Sequence, residues 1–200
     1  MTYRRKDAHY RRARAEGYRA RSAYKLAELD RRYRLLAPGH FVVDLGAWPG
    51  GWLQVARGRV GGCGRVVGLD LAAIEPLGAP NVTVVTGDVR DPAAVAAVRE
   101  CLGRPADVVL SDLAPKLTGV RATDEARSAE LAEATLAALP SLLRPGGRLL
   151  MKVFMGPYYE GVIAALRGVF AKVTATRAEA TRPGSAELYV IGTGYEAPRS

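Results

Sequence analysis

Two hundred residues, 48% of them hydrophobic, suffice for a single domain with a sizeable core, and no shift in composition divides the chain. Cys63 and Cys101 match no CxxC spacing and His9 and His40 stand alone, so neither a disulfide framework nor a metal site is expected. No run reaches the roughly 18 apolar residues of a membrane span, and the basic N-terminus lacks the apolar stretch of a secretion signal, so a soluble, cytoplasmic protein is expected.

The formal net charge of +9 is unevenly placed: residues 1–34 hold 12 Lys/Arg against 4 Asp/Glu, and the remaining residues hold 17 against 16. Such a block reads as the footprint of a polyanion, with a solvated terminal helix as the competing account. Tyr3, Tyr10, Tyr18, Tyr24 and Tyr33, five of the nine tyrosines, lie among these basic residues. Arginine for phosphate and tyrosine for an exposed base is the mixture expected for RNA with unpaired segments, although core packing is the stronger account of Tyr24 and Tyr33. The chain therefore divides within one domain into a basic segment, 1–34, and a core, 35–200.

From Ser22 the spacing of Ala23, Leu26, Ala27, Leu29 and Tyr33 predicts a helix that ends before Pro38-Gly39. Lys25 flanks its apolar stripe and by itself reads as a surface lysine. The run Phe41-Val42-Val43-Asp44-Leu45 then reads as a buried strand, followed by the turn Gly46-Ala47-Trp48-Pro49-Gly50-Gly51 and a helix over 50–59. Further strands are predicted at 66–70, 82–88, 107–112 and 148–154, with helices at 92–102, capped by Asp91, and at 124–143. A turn at 144–147, a helix at 158–170, and strands near 172–176 and at 187–192 complete the pattern. No helix-length crossover separates the last two strands, so they should pair as a hairpin. Alternation of short β-branched runs with helices predicts an α/β fold, a mostly parallel sheet with helices on both faces.

The first four strands each close with an acid, Asp44, Asp70, Asp88 and Asp112, and the fifth carries Lys152. In a parallel sheet these fall at the carboxyl edge, where ligands of this architecture bind. Helix and turn capping explains any one of the acids, but four in register less well. If the last strand runs antiparallel, Glu187 arrives at the same edge. The glycine turn is not a GxGxxG fingerprint, since Trp48 occupies the place of the glycine that admits a pyrophosphate, which argues against NAD. With Asp70 some 20 residues on to hold ribose hydroxyls and Asp88 to meet an adenine amino group, an adenosine ligand without phosphates, such as S-adenosylmethionine, suits it better. Lys152, with apolar neighbours and the carboxylates Asp112 and Glu187 in reach, could act as a base; a structural ion pair fits the spacing equally.

Taken in order, YRARSAYKL, VVDLGAWPGGW, GLDL, GDVRD, VLSDLAPKLTG, LLMKVFMG and AELYVIGTG resemble the FtsJ/RrmJ family of S-adenosylmethionine-dependent ribose 2′-O-methyltransferases over nearly the whole chain. The resemblance implies a Rossmann-like methyltransferase fold with an antiparallel last strand. It implies a catalytic tetrad at Lys25, Asp112, Lys152 and Glu187. It also implies a cofactor site around Gly46, Trp48, Pro49, Gly50, Gly51, Trp52, Asp70, Asp88 and Asp112, and Asp44, which closes the first strand, is placed with them. By the same resemblance the substrate is a uridine ribose in the A-loop of large-subunit (23S) rRNA, as RNA or ribosomal particle. A tRNA ribose, or a non-catalytic role as an RNA-binding ribosome-assembly factor, is the alternative. A monomer is the favoured state. Trp48 stands where the family usually has a small residue, and Lys116 where it has asparagine.

Overall fold

The structure, a computed structural model, describes residues 15–116, 118–181 and 184–197. The basic residues and tyrosines of 1–14, and Arg182 and Pro183 of the predicted 182–185 turn, lie outside them. The elements in order are α1 (Ala23–Tyr33), β1 (Phe41–Leu45), α2 (Gly51–Val60), β2 (Arg65–Asp70), β3 (Val82–Thr86), α3 (Pro92–Leu102), β4 (Ala106–Ser111), α4 (Arg121–Leu142), β5 (Leu143–Phe154), α5 (Tyr159–Arg167), β6 (Phe170–Thr176) and β7 (Glu187–Tyr195).

The strands form one sheet in the order β3-β2-β1-β4-β5-β7-β6. Strands β1 to β5 pair in parallel, and β7 runs antiparallel to both β5 and β6. The mostly parallel sheet, the terminal hairpin and the antiparallel last strand thus match the expectation. Side chains alternate along each strand, and both faces are buried. Val43, Leu45, Val67, Leu69, Val109 and Leu149 pack with residues of α3, α4 and α5. Val42, Val66, Val108, Leu110 and Leu150 pack on the other face with residues of α1 and α2. Paired valines recur in the strands because each member of a pair fills a different core. None of the described helices is long and apolar enough to cross a membrane.

Boundaries differ from expectation where side chains redirect the backbone. Helix α4 starts three residues before Asp124, whose carboxylate accepts hydrogen bonds from Thr118 N and Oγ1 (2.8 Å each) and so ties down the loop ahead of the helix. Asp91 caps α3 as expected, accepting from Ala93 N at 2.9 Å, and Gly103 at φ 84° closes it. The predicted 144–147 turn lies inside β5. Leu143 pairs with Ala106 and Arg148 with Val108, so the intervening residues bulge, with Gly146 at φ 73°. Helix α5 stops at Arg167 because the chain turns at Gly168 and Phe170 already belongs to β6.

At the amino edge Asp107, 8% exposed, gathers three segments. It accepts from Phe41 N at 2.8 Å, Arg104 Nη2 at 2.7 Å and Arg144 Nε at 2.7 Å. Burial alone would raise its pKa, but these donors overcome it and hold the carboxyl at about 2. Stability from this depressed pKa is fully present above the unfolded value near 4 and is lost as pH falls through about 2. Asp107→Asn should therefore lower the unfolding free energy by roughly 2 kcal/mol at neutral pH, with the deficit shrinking below about pH 4. Urea unfolding of both proteins at stepwise lower pH measures this.

Candidate active site

The strand order reverses between β1 and β4, so the connections leaving them go to opposite faces and open a crevice at the carboxyl edge. A cavity of about 570 Å³ lies there, lined by Gly46, Trp48, Asp70, Asp88 and Asp112, with Leu71 and Leu113 among its apolar walls. Gly46 is at φ 79°, and a Cβ on it would lie 3.0 Å from Leu113 N, so the turn after β1 closes on the β4 loop only without a side chain. Asp70 bridges two loops, accepting from Trp48 N and from Ala72 N at 2.9 Å each. Asp88 is gripped by Arg90 Nε at 3.0 and 3.1 Å, and these hydrogen bonds lower its pKa.

Other residues of the expected cofactor set do not line the cavity. Pro49 accepts a hydrogen bond from Arg19 Nη1 at 3.4 Å, and Gly50 and Gly51 make room for Arg19 and Ala20. Trp52 is 3% exposed, donates from Nε1 to Ser22 O at 2.9 Å and lies 6.0 Å from the Tyr189 ring. These residues anchor the segment that leads into α1. Tyr24 has a similar task, donating to Glu16 Oε2 at 2.8 Å and meeting Tyr18 edge-on at 5.5 Å.

Beside the cavity the four tetrad positions come together as two ion pairs. Lys152 Nζ lies 3.1 Å from Asp112 Oδ1 and donates to Asp112 O at 2.7 Å. Lys25 Nζ pairs with Glu187 Oε1. Two readings are corrected here. Lys25 is not a surface lysine: it is 8% exposed, because α1 turns Lys25 and Glu28 as well as Leu26 and Leu29 toward the sheet. Lys152 is not held between two acids, since Glu187 is taken by Lys25.

One residue of this cluster escaped the sequence reading. Tyr189 is fully buried, its hydroxyl donates to Asp112 Oδ1 at 3.0 Å, and Lys25 Nζ sits 5.6 Å from its ring centroid. Burial first, then the charges of Asp112 and Glu187, raise its pKa well above the ordinary value, so the phenol stays a donor. The available signal was spacing: Tyr189 is two residues from Glu187 on a strand, hence on the same face.

Residues 18–195 match the FtsJ-like methyltransferase family. The chain belongs to that family. It is 48% identical over 187 residues to Ribosomal RNA large subunit methyltransferase E of Azoarcus sp. (strain BH72), covering 93% of this chain and 90% of the relative. Among solved structures it is similar to a ribosomal RNA methyltransferase from Plasmodium falciparum, with a TM-score of 0.80 and 27% identity over 90% of this chain and all of that one. Fibrillarin from Aeropyrum pernix, in complex with S-adenosyl-L-methionine, shares the fold at a TM-score of 0.63 and 18% identity, over 88% of this chain and 75% of that one.

In this FtsJ-like chain Asp44 is the electrostatic anomaly. Its side chain is completely buried at the end of β1, and neither carboxylate oxygen has a hydrogen-bond partner. Burial above all, then the charges of Asp112 and Asp70, push its pKa well above the usual carboxylate range. A raised carboxyl penalises the fold at pH values above its unfolded pKa near 4, and the penalty fades as pH falls toward that value. Asp44→Asn should therefore leave the unfolding temperature of the ligand-free protein unchanged or raise it at pH 8, with any gain shrinking toward pH 4. Scanning calorimetry tests this, and a loss of several degrees at pH 8 would refute it.

Proposed function

We propose that this chain transfers a methyl group from S-adenosylmethionine to a ribose 2′-hydroxyl of RNA, at a uridine of the large-subunit rRNA A-loop. The observation that carries the reading is the double position of Asp112. Its residue walls the cavity, and its carboxylate and carbonyl hold Lys152. Cavity and base thus adjoin at one residue, which keeps a hydroxyl at Lys152 close to a methyl donor in the cavity, the proximity that transfer needs.

The residues present fit the cofactor. Asp70, already fixed by two backbone donors, suits ribose hydroxyls, and Asp88 lies on the same wall for an adenine amino group. Asp44 does not line the cavity, so its unpartnered buried carboxyl would reach an ammonium group through a water. When bound, S-adenosylmethionine supplies an electrophilic methyl on a sulfonium. The chain's own groups do the rest. Lys152 Nζ, as general base, takes the proton of the 2′-hydroxyl as the oxygen gains its methyl group. Asp112, steadied by Tyr189, fixes where that amine points. Lys25, held by Glu187, places the ribose or its phosphate. A monomer acting in the cytoplasm is the accompanying reading, the location following from an rRNA substrate. The basic segment 1–34 adds affinity for the polyanion.

Lys152→Ala should reduce single-turnover methyl transfer to large-subunit particles by about 10²- to 10⁴-fold. Affinity for S-adenosylhomocysteine, measured by calorimetry, should change little. Near-normal transfer by the variant would remove Lys152 from the reaction. Replacing Arg4, Arg5, Lys6, Arg11, Arg12 and Arg14 together by Gln should flatten the salt dependence of RNA binding, since every phosphate no longer neutralised lowers the slope of log K against log salt by roughly 0.7 to 0.9. An unchanged slope would show that these residues do not meet phosphates.

A further inference from the structure

The described residues include five exposed large hydrophobic side chains, Trp48, Leu71, Val120, Met155 and Tyr158, each at least 47% accessible. Single exposed apolar residues are ordinary. Their distribution here is not, because all five follow the carboxyl end of a strand: Trp48 after β1, Leu71 after β2, Val120 between β4 and α4, and Met155 and Tyr158 after β5. Trp48 and Leu71 line the cofactor cavity, which accounts for them. Val120, Met155 and Tyr158 do not line it. They stand on the loops leaving β4 and β5, the two strands that deliver Asp112 and Lys152.

These loops are continuous with the reacting amine. Lys152 Nζ lies 5.9 Å from the Phe154 ring centroid, and Phe154 shares a shallow recess with Tyr158, Glu125 and Ser128. A Cβ on Gly156 would lie 3.3 Å from Glu125 Cδ, so the 155–158 loop rests on the first turns of α4. Arg121 stands exposed at the start of α4, and Lys116 and Arg127, also exposed, line the cofactor cavity on the adjoining segment. Arg121 pairs with Glu125 from a side chain that is itself 86% accessible. An aromatic face beside solvated cations, next to a base that must reach a ribose hydroxyl, is the composition that receives an unpaired nucleotide: the ring stacks the base and the cations meet its phosphates.

We propose that Tyr158, with Met155 on the same loop, is the stacking platform for an unpaired base flanking the methylated nucleotide. This deepens the ribose-methylation reading above and rests on it. A strand that presents its 2′-hydroxyl to Lys152 passes the end of β5, and its neighbouring base meets the 155–158 loop. Tyr158 acts through its ring, not its hydroxyl, and has no part in holding the cofactor.

The test uses the full chain with Tyr158→Ala and Tyr158→Phe. Kinetics are run on large-subunit particles lacking the methyl group, and fluorescence on an A-loop hairpin RNA carrying 2-aminopurine beside the target nucleotide. Tyr158→Ala should raise KM for the particles about tenfold or more, with kcat within about threefold, and Tyr158→Phe should restore wild-type values. Affinity for S-adenosylhomocysteine should be equal in all three proteins. Saturating wild-type protein should quench 2-aminopurine by stacking, and Tyr158→Ala should not. An unchanged KM in Tyr158→Ala overturns the proposal, as does equal quenching by both proteins. A raised KM on particles with equal quenching on the hairpin would mean that Tyr158 docks against a ribosomal protein instead, which also overturns it. Absence of methyl transfer by the wild-type chain to any RNA or particle would refute the underlying reading of the reaction, a result distinct from an active enzyme indifferent to Tyr158.

Discussion

Asp112 joins more of this molecule than any other side chain at the carboxyl edge. Its backbone N–H donates to Leu45 O at 3.1 Å, tying the end of β4 to β1. Its carbonyl and carboxylate hold Lys152 of β5, and its carboxylate accepts the buried hydroxyl of Tyr189 from β7. Four neighbouring strands thus meet at one residue, which also forms a wall of the cavity. The constraint behind this is topological. Only where the strand order reverses do two adjacent loops part enough to leave a crevice, and only because β7 runs backward do Tyr189 and Glu187 start, rather than end, at that edge.

The arrangement spends stability on charge. Lys25, Glu187, Lys152 and Asp112 are all largely withdrawn from water, and removing one member of such a pair costs roughly 3–5 kcal/mol by stranding the other. Replacing a buried pair by apolar side chains of similar volume is often neutral or stabilising, so the pairs themselves are weak grounds for a structural role. Asp44 makes the same point more sharply, being buried with no partner at all. A fold selected for stability alone would keep an apolar residue there. Such local penalties are characteristic of sites shaped for a ligand.

The two edges of the sheet divide the labour. At the amino edge Asp107 is saturated by three donors and its guanidinium partners are engaged, with Arg104 also lying 4.0 Å over the Phe41 ring. That edge clamps β1, β4 and the start of β5 together. At the carboxyl edge Asp44 has no hydrogen-bond partner, and the loops carry all the large apolar side chains left in water among the described residues. One edge is closed chemistry and the other is open, as the binding of ligands at the carboxyl ends of strands in open α/β sheets demands.

Local features of the chain were enough for the architecture and for half of the site. Paired valines betray a sheet buried on both faces, glycines mark the turn after β1, and acids at strand ends place Asp44, Asp70, Asp88 and Asp112 on one edge, because the strand period is local and alternation with helices implies parallel pairing. Lys25 was beyond such reasoning without the family resemblance. A helix with charged residues on its buried side looks amphipathic in the wrong sense until the partner, Glu187, 162 residues away, is known. The same holds for the pairing pattern, for Tyr189 as the hydroxyl donor to Asp112, and for Trp52, whose ring faces α1 rather than the cavity. The sequence by itself determined which residues could carry charge to the carboxyl edge. The tertiary structure alone decided which of them touch, because pair choice depends on how α1 and β7 lie across the sheet, and no local pattern encodes that.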